Sequence, residues 1–313
     1  MYNAINILIF IVSLAILIKG ADTITRYASR LAKLWGVSEL VIGITIVAIS
    51  TSLPELAVSL ISVLGATGGI AVGTIIGSNI ANIGLIVGIS ALASPLLIKR
   101  RFIKEGVVMI FFSIVTVALL LDGMFWYEGI VLIIMLLGYL YYLVKSVRPE
   151  SGHERESKSE REKNHRLAIK CLLFCAVGAV FIAIGAEVLV YSTVNMAQWL
   201  GISETVIALI AIAIGTSLPE FATSVVAALK RMRGISVGNI IGSNIFNVSI
   251  LGLVSLFGPV PTEAIINNIN IPIMLALSFL LVLFMRKGMK IDRTEAVVLF
   301  GIYLLFLVLQ FIY

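Results

Sequence analysis

Long apolar runs separated by short polar breaks dominate the chain. They fall at roughly 4–20, 37–64, 70–97, 106–121, 127–144, 168–195, 202–228, 235–258, 268–285 and 295–312. Each is near or above the ~20 residues that a helix needs to cross a bilayer core. The runs are continuous, whereas the strands of a membrane barrel alternate apolar and polar residues over about ten positions. The pattern therefore predicts an all-α membrane protein with about ten transmembrane helices. The first run has no basic residue before it and no small-residue cleavage site after it, so it reads as a retained helix rather than a signal peptide.

Composition agrees with this. Apolar residues make up 60% of the chain and charged residues 13%, against about 45–50% and about 25% in soluble domains. The formal charge of +6 raises the class of nucleic-acid binders, but its placement argues against that class. Lys and Arg follow the first, third, fifth, seventh and ninth runs, as in Lys99-Arg100-Arg101 and Lys230-Arg231-Met232-Arg233. The even-numbered connections carry none and hold acids such as Asp122, Glu128, Glu204 and Glu263. The positive-inside rule then puts the odd connections in the cytoplasm and both termini outside. The expected location is the cell membrane, crossed many times. The one long polar stretch, 146–166, mixes acids and bases and reads as a cytoplasmic linker or helical extension.

The linker joins two related halves, expected as 1–145 and 167–313. Thr51-Ser52-Leu53-Pro54-Glu55 returns as Thr216-Ser217-Leu218-Pro219-Glu220, and Gly77-Ser78-Asn79-Ile80-Ala81-Asn82 as Gly242-Ser243-Asn244-Ile245-Phe246-Asn247. The offset is a constant 165 positions (216 minus 51). Five runs per half is an odd number, so the second half enters the membrane inverted. Inverted repeats with broken helices are a mark of secondary transporters.

The chemistry sits in those repeated motifs. Pro54 has no N–H and its ring clashes with the carbonyl of Ser50, so the second run is expected to break there, and the seventh likewise at Pro219. Freed carbonyls are expected around Ala48 to Thr51 and Ala213 to Thr216. Ser52-x-x-Glu55 and Ser217-x-x-Glu220 also fit a local capping box. In hydrocarbon that does not suffice, because a carboxylate in mid-span costs several kcal/mol unless it meets a partner or a cavity. Apart from Lys19 and Lys170 near run ends, no Lys, Arg or His lies within a run, so the partner in mid-span is an external cation or a proton. Ser78 and Asn82 are four apart and share a helix face, as do Ser243 and Asn247. Gly73 and Gly77 are expected to admit a neighbouring helix closely. The donors gathered this way are all oxygen, which suits a hard cation such as Ca²⁺. Cys171 and Cys175 read as small packing residues without a disulfide, and His153 and His165 carry no assigned role.

This constellation resembles the cation/calcium exchanger superfamily, in particular its sodium/calcium exchanger branch of prokaryotic type, over the whole membrane chain. The resemblance implies an antiporter exchanging sodium for calcium by alternating access, three sodium ions per calcium, with spans one and six sliding against the rest. The site residues it implies are Glu55, Thr51, Ser52, Ser78, Asn82 and Ala48 from the first half, and Glu220, Thr216, Ser217, Ser243, Asn247 and Ala213 from the second. Potassium-dependent members carry Asp at the position of Asn247, and animal members have a large regulatory insert that the linker lacks. Proton/calcium antiport is the alternative within the class, and a cation channel the alternative outside it. The chain is not expected to be an enzyme. Its expected partners are Ca²⁺, Na⁺ and the lipid bilayer, with no cofactor, no nucleic acid and no obligatory protein partner.

Overall fold

The structure, a computed structural model, describes residues 2–65, 68–146, 158–199, 215–262 and 266–312. Helices account for nearly all of it. α1 spans Tyr2–Trp35, α2 Glu39–Thr51, α3 Leu53–Leu64, α4 Gly68–Ala93, α5 Arg100–Leu120 and α6 Trp126–Lys145. The second half holds α7 (Lys158–Trp199), α8 (Leu218–Leu229), α9 (Arg233–Val254), α10 (Ile266–Gly288) and α11 (Arg293–Ile312). Among the described residues, eight helices are long and apolar enough to cross a membrane, and the bent pair α2–α3 makes a ninth span. α8 is the second part of the run expected at 202–228, whose first part falls outside the described residues.

α1 has 34 residues, about 51 Å at ~1.5 Å per residue. It therefore outruns a bilayer core of about 30 Å and carries Arg26, Arg30 and Lys33 beyond it. α7 is longer still and packs along α1. Its helix already begins at Lys158, inside the stretch read as a linker, and 147–157 lie outside the described residues. The two helices meet through glycines. A Cβ on Gly20 would sit 2.8 Å from the Gly178 carbonyl oxygen, and one on Gly185 would sit 2.8 Å from the backbone nitrogen of Leu17. Only small residues permit so close an approach between helices. Leu17, Ala21, Ile24, Leu31, Cys171, Cys175 and Ile182 of this pair belong to an apolar core that also takes in Ile42, Val47, Ala222, Ala227 and Ile235 of α2, α8 and α9. Both cysteines are buried and free, as packing residues.

A separate, larger core holds α4, α9 and the helices around them, with Ile75, Ile76, Ile80, Ile241, Ile245, Val248 and Leu277 at its centre. α9 is its axis and is almost entirely buried, yet Ser236, Asn239, Ser243, Asn244, Asn247 and Ser249 all lie on it. Buried polar groups call for partners, and those of Asn239, Ser243, Asn244 and Asn247 lie in or beside the repeated motifs, whereas Ser249 Oγ bonds back to the Ile245 carbonyl. The approach of α2 to α9 depends on Gly238, where a Cβ would sit 2.7 Å from the Leu40 carbonyl oxygen. Gly73 and Gly77, the counterparts of Gly238 and Gly242, have no described atom within 4 Å of such a Cβ. Most of the segment that corresponds to α2 in the second half lies outside the described residues, so the expectation at Gly73 and Gly77 falls there too.

Short contacts tie the connections together. Leu96–Leu97 pairs antiparallel with Lys290–Ile291, joining the α4–α5 and α10–α11 connections. A bridge between Met124 and Val260 joins the α5–α6 and α9–α10 connections. Lys230, at the end of α8, pairs with Asp22 of α1.

Candidate ion site

α2 and α3 meet at a bend of 45°. Ser52 alone interrupts the helix, with φ −86° and ψ 7°, and Pro54 occupies the first turn of α3. The break follows from Pro54, which offers no N–H to the Ser50 carbonyl. The same geometry recurs at Ser217, with φ −86° and ψ 0°, ahead of Pro219 in α8. Glu55 and Glu220 are each the third residue of their half-helix.

The capping boxes that the sequence allows do not form. Neither Ser52 nor Ser217 makes a side-chain cap hydrogen bond to its own helix. Each reaches across to the other repeat instead. Ser52 Oγ donates to Glu220 Oε1 at 3.0 Å, and Ser217 Oγ donates to Ser78 Oγ at 3.0 Å. Ser78 Oγ in turn donates to Glu55 Oε1 at 3.2 Å, and Ser243 Oγ to Glu220 Oε1 at 3.4 Å. Asn82 Nδ2 donates to Asn244 Oδ1 at 3.3 Å. Asn247 Nδ2 donates to Ser78 Oγ and Asn79 Oδ1, both at 3.1 Å. One site is thus assembled from both halves.

What these bonds leave over defines the site. Glu55 and Glu220 are 0% exposed. Glu55 Oε2, Glu220 Oε2, Asn82 Oδ1 and Asn247 Oδ1 are buried without a hydrogen-bond partner. An unmade hydrogen bond at a buried neutral group costs about 1–3 kcal/mol, and more at a charged one. These four oxygens, related in pairs by the repeat, are of the kind that a hard cation takes as ligands. No described Lys, Arg or His pairs with either glutamate.

The other expected ligands are placed less evenly. Thr51 is buried, and its hydroxyl lies 3.2 Å from the Ala48 carbonyl and 3.1 Å from Asn239 Oδ1. The Ala48 carbonyl was expected to be free, but it also accepts the Ser52 N–H at 3.0 Å. The helix stays intact up to Ser52, so the carbonyl that Pro54 releases is that of Ser50. Thr216 is half-buried and makes no side-chain hydrogen bond to another described residue. Ala213 lies outside the described residues.

Sequence reasoning missed three features. Asn239 bridges Thr51 to Ser224 Oγ at 3.0 Å and breaks the two-fold pattern, because its counterpart is Thr74. That polar mismatch, Thr74 against Asn239, within closely matching motifs was the available signal. Asn79 and Asn244 accept hydrogen bonds from Asn247 and Asn82, each across to the other repeat. Glu105 is a further buried carboxylate, but its needs are met. Tyr139 Oη donates to Glu105 Oε2 at 2.7 Å, and Arg101 Nε lies 3.7 Å from Oε1. Tyr139→Phe removes that donor, and we expect it to cost about 1–3 kcal/mol of stability. The checks are a lower melting temperature and unchanged calcium binding.

A family profile described as Sodium/calcium exchanger protein matches residues 5–145 and 170–312. The chain belongs to this family. Its two matched segments correspond to the two repeats, and the unmatched interval contains the charged stretch. Sodium/calcium exchanger MaX1 of Methanosarcina acetivorans is 35% identical across 98% of this chain and 99% of its own. Inner membrane protein YrbG of Escherichia coli is 33% identical across 97% and 96%. A solved structure of the sodium-calcium exchanger NCX_Mj, soaked with 10 mM Na⁺ and zero Ca²⁺, superposes with a TM-score of 0.84. It is 34% identical to this chain and covers 97% of it and 98% of its own length. The family supplies a class of transported ions against which the four free oxygens can be read.

Proposed function

We propose that the protein is a secondary active antiporter that exchanges sodium for calcium at the site between the two broken helices. The observation that carries this reading is the set of four partnerless buried oxygens, two of them carboxylate. Two negative charges balance one Ca²⁺ or two Na⁺. With the site empty and both glutamates ionised, switching between membrane faces would move bare charge through a low-dielectric constriction. A filled site is neutral. The carrier therefore switches when loaded, and this couples the two ions. The ligands are Glu55, Glu220, Asn82 and Asn247, with hydroxyls from Thr51, Ser52, Ser78, Thr216, Ser217 and Ser243. Backbone oxygens near the breaks, including those of Ala48 and Ala213, complete the set after local rearrangement. The glycine-lined contact that packs α1 along α7 supports their sliding as a unit against the rest. Radiocalcium binding to the purified protein tests the site. We expect Na⁺ to displace calcium and equimolar choline to leave it bound; equal displacement by both would refute the proposal.

The two termini lie outside the cell membrane and the central stretch lies in the cytoplasm. In support, the Leu96–Ile291 pairing joins two basic connections, and the Met124–Val260 bridge joins two without Lys or Arg. Contacts run between like connections, as a common membrane face requires. In a background without Cys171 and Cys175, Asp122→Cys and Thr262→Cys should react with an impermeant thiol reagent on intact cells. Ser157→Cys should react only after lysis. Labelling of Ser157→Cys on intact cells would reverse the orientation.

A further inference from the structure

An asparagine is a cation ligand through its oxygen only. Its NH₂ group, presented to a cation, repels it. Asn82 and Asn247 are therefore useful only if something fixes which end of each amide faces the site, and nothing within a lone amide does so. The fixing element is the neighbouring asparagine from the same motif in the opposite repeat.

Asn79 Nδ2 lies 3.3 Å from the backbone carbonyl of Asn244. A backbone carbonyl can only accept, so the nitrogen of Asn79 must face it. Met274 Sδ, 3.8 Å from the same nitrogen, is a second acceptor. Asn79 Oδ1 then has to point the other way, where it meets Asn247 at 3.1 Å. An oxygen there demands a donor, so Asn247 turns its nitrogen to Asn79 and leaves its oxygen free. Ser78 reinforces the choice. Its hydroxyl proton goes to Glu55 Oε1, which makes its oxygen an acceptor towards Asn247 Nδ2 at 3.1 Å. The mirror arrangement uses Asn244. Its Nδ2 faces Met109 Sδ at 3.4 Å, and its Oδ1 accepts Asn82 Nδ2 at 3.3 Å. All four asparagines are at most 1% exposed, so water cannot substitute for any of these partners.

We propose that Asn79 and Asn244 are positioning residues that lock the amides of Asn247 and Asn82, so that each presents oxygen to the transported cation. This deepens the reading of the ion site above and rests on it. The two locks differ in strength. Asn79 is anchored by a backbone carbonyl, whereas Asn244 is anchored by a thioether, a weaker acceptor. The Asn247 arm is accordingly the firmer of the two.

The test exploits the symmetry of a carboxylate, which offers oxygen whichever way it turns. An orienting residue beside an amide loses its purpose when the amide becomes an ionised carboxylate. Asn79→Ala should weaken radiocalcium affinity about tenfold, the range in which groups orienting a metal ligand act. In an Asn247→Asp background at about pH 9, the same change should cost less than twofold. Asn244→Ala should behave likewise against Asn82→Asp, with a smaller first loss. Melting temperatures verify folding in each case, and the second cycle stands if the first set of variants does not fold. Equal losses in the amide and carboxylate backgrounds would mean that Asn79 and Asn244 merely hold the helices together, and the orienting role would be wrong. Wild-type protein that binds neither calcium nor sodium would instead refute the ion site itself.

Discussion

Glu55→Gln and Glu220→Gln should each lose at least about a hundredfold in calcium affinity and transport no measurable calcium. Removing one charged partner from a buried ionic arrangement costs about 3–5 kcal/mol, and about 1.4 kcal/mol is a factor of ten. Glutamine keeps the length and volume of the side chain and removes one of the site's two charges, so one positive charge of calcium goes unbalanced. Glu55 and Glu220 have the same type of surroundings in the two repeats, each with one hydroxyl-bonded and one free oxygen. The two losses should therefore be similar in size. Uptake of radiocalcium into vesicles is the measurement, with melting temperature as the control for folding. Near-wild-type uptake by either variant would remove that glutamate from the site.

Asn247→Asp should have the second largest effect, with a sign that depends on pH. Asn247 Nδ2 faces two acceptors, Ser78 Oγ and Asn79 Oδ1. A carboxyl in its place can donate to one of them, and only when it carries a proton, the form closest to the amide. When it ionises, it adds a third negative charge beside the two glutamates. A unit charge about 4 Å away is worth ~4 kcal/mol at an effective dielectric constant of ~20, so a third of that is already tenfold. At pH 6 the variant should bind sodium much as the wild type does. At pH 9 its sodium affinity should exceed the wild-type value by about tenfold, and potassium becomes a ligand to test alongside. Sodium-driven calcium flux from pH 6 to 9, with and without potassium, checks this. Superimposable profiles for the two proteins would take position 247 off the ligand set.

The helical membrane class, the inverted halves and the two carboxylates were legible in the sequence because hydrocarbon is so unforgiving. A bilayer forces apolar runs to declare themselves, and it makes a mid-span glutamate beside a proline too costly to be incidental. The sequence could not show which local bond would win at each break. Ser52-x-x-Glu55 satisfies every requirement of a capping box, yet the hydroxyl reaches Glu220 in the other repeat. Local spacing carries no information about a contact 168 positions away. Within the expected Ala48–Thr51 stretch the released carbonyl is that of Ser50, two residues beyond Ala48, because helix ends drift by one or two residues. Glu105 escaped notice because it stands at the mouth of its apolar run, and only the packing of α6 brings Tyr139 over it. Asn79 was visible as a motif residue, but its purpose depends on which atom of Asn244 it meets.

Coupling is the central claim, and flux through the protein reconstituted in sealed vesicles tests it most directly. Radiocalcium uptake is compared under an outward sodium gradient, under a pH gradient at equal sodium, and with no counter-ion inside. Uptake under the sodium gradient alone is the result expected of a site whose two carboxylates must be neutralised before it can turn. Uptake with no counter-ion, or uptake driven by the pH gradient and indifferent to sodium, would contradict sodium-for-calcium exchange.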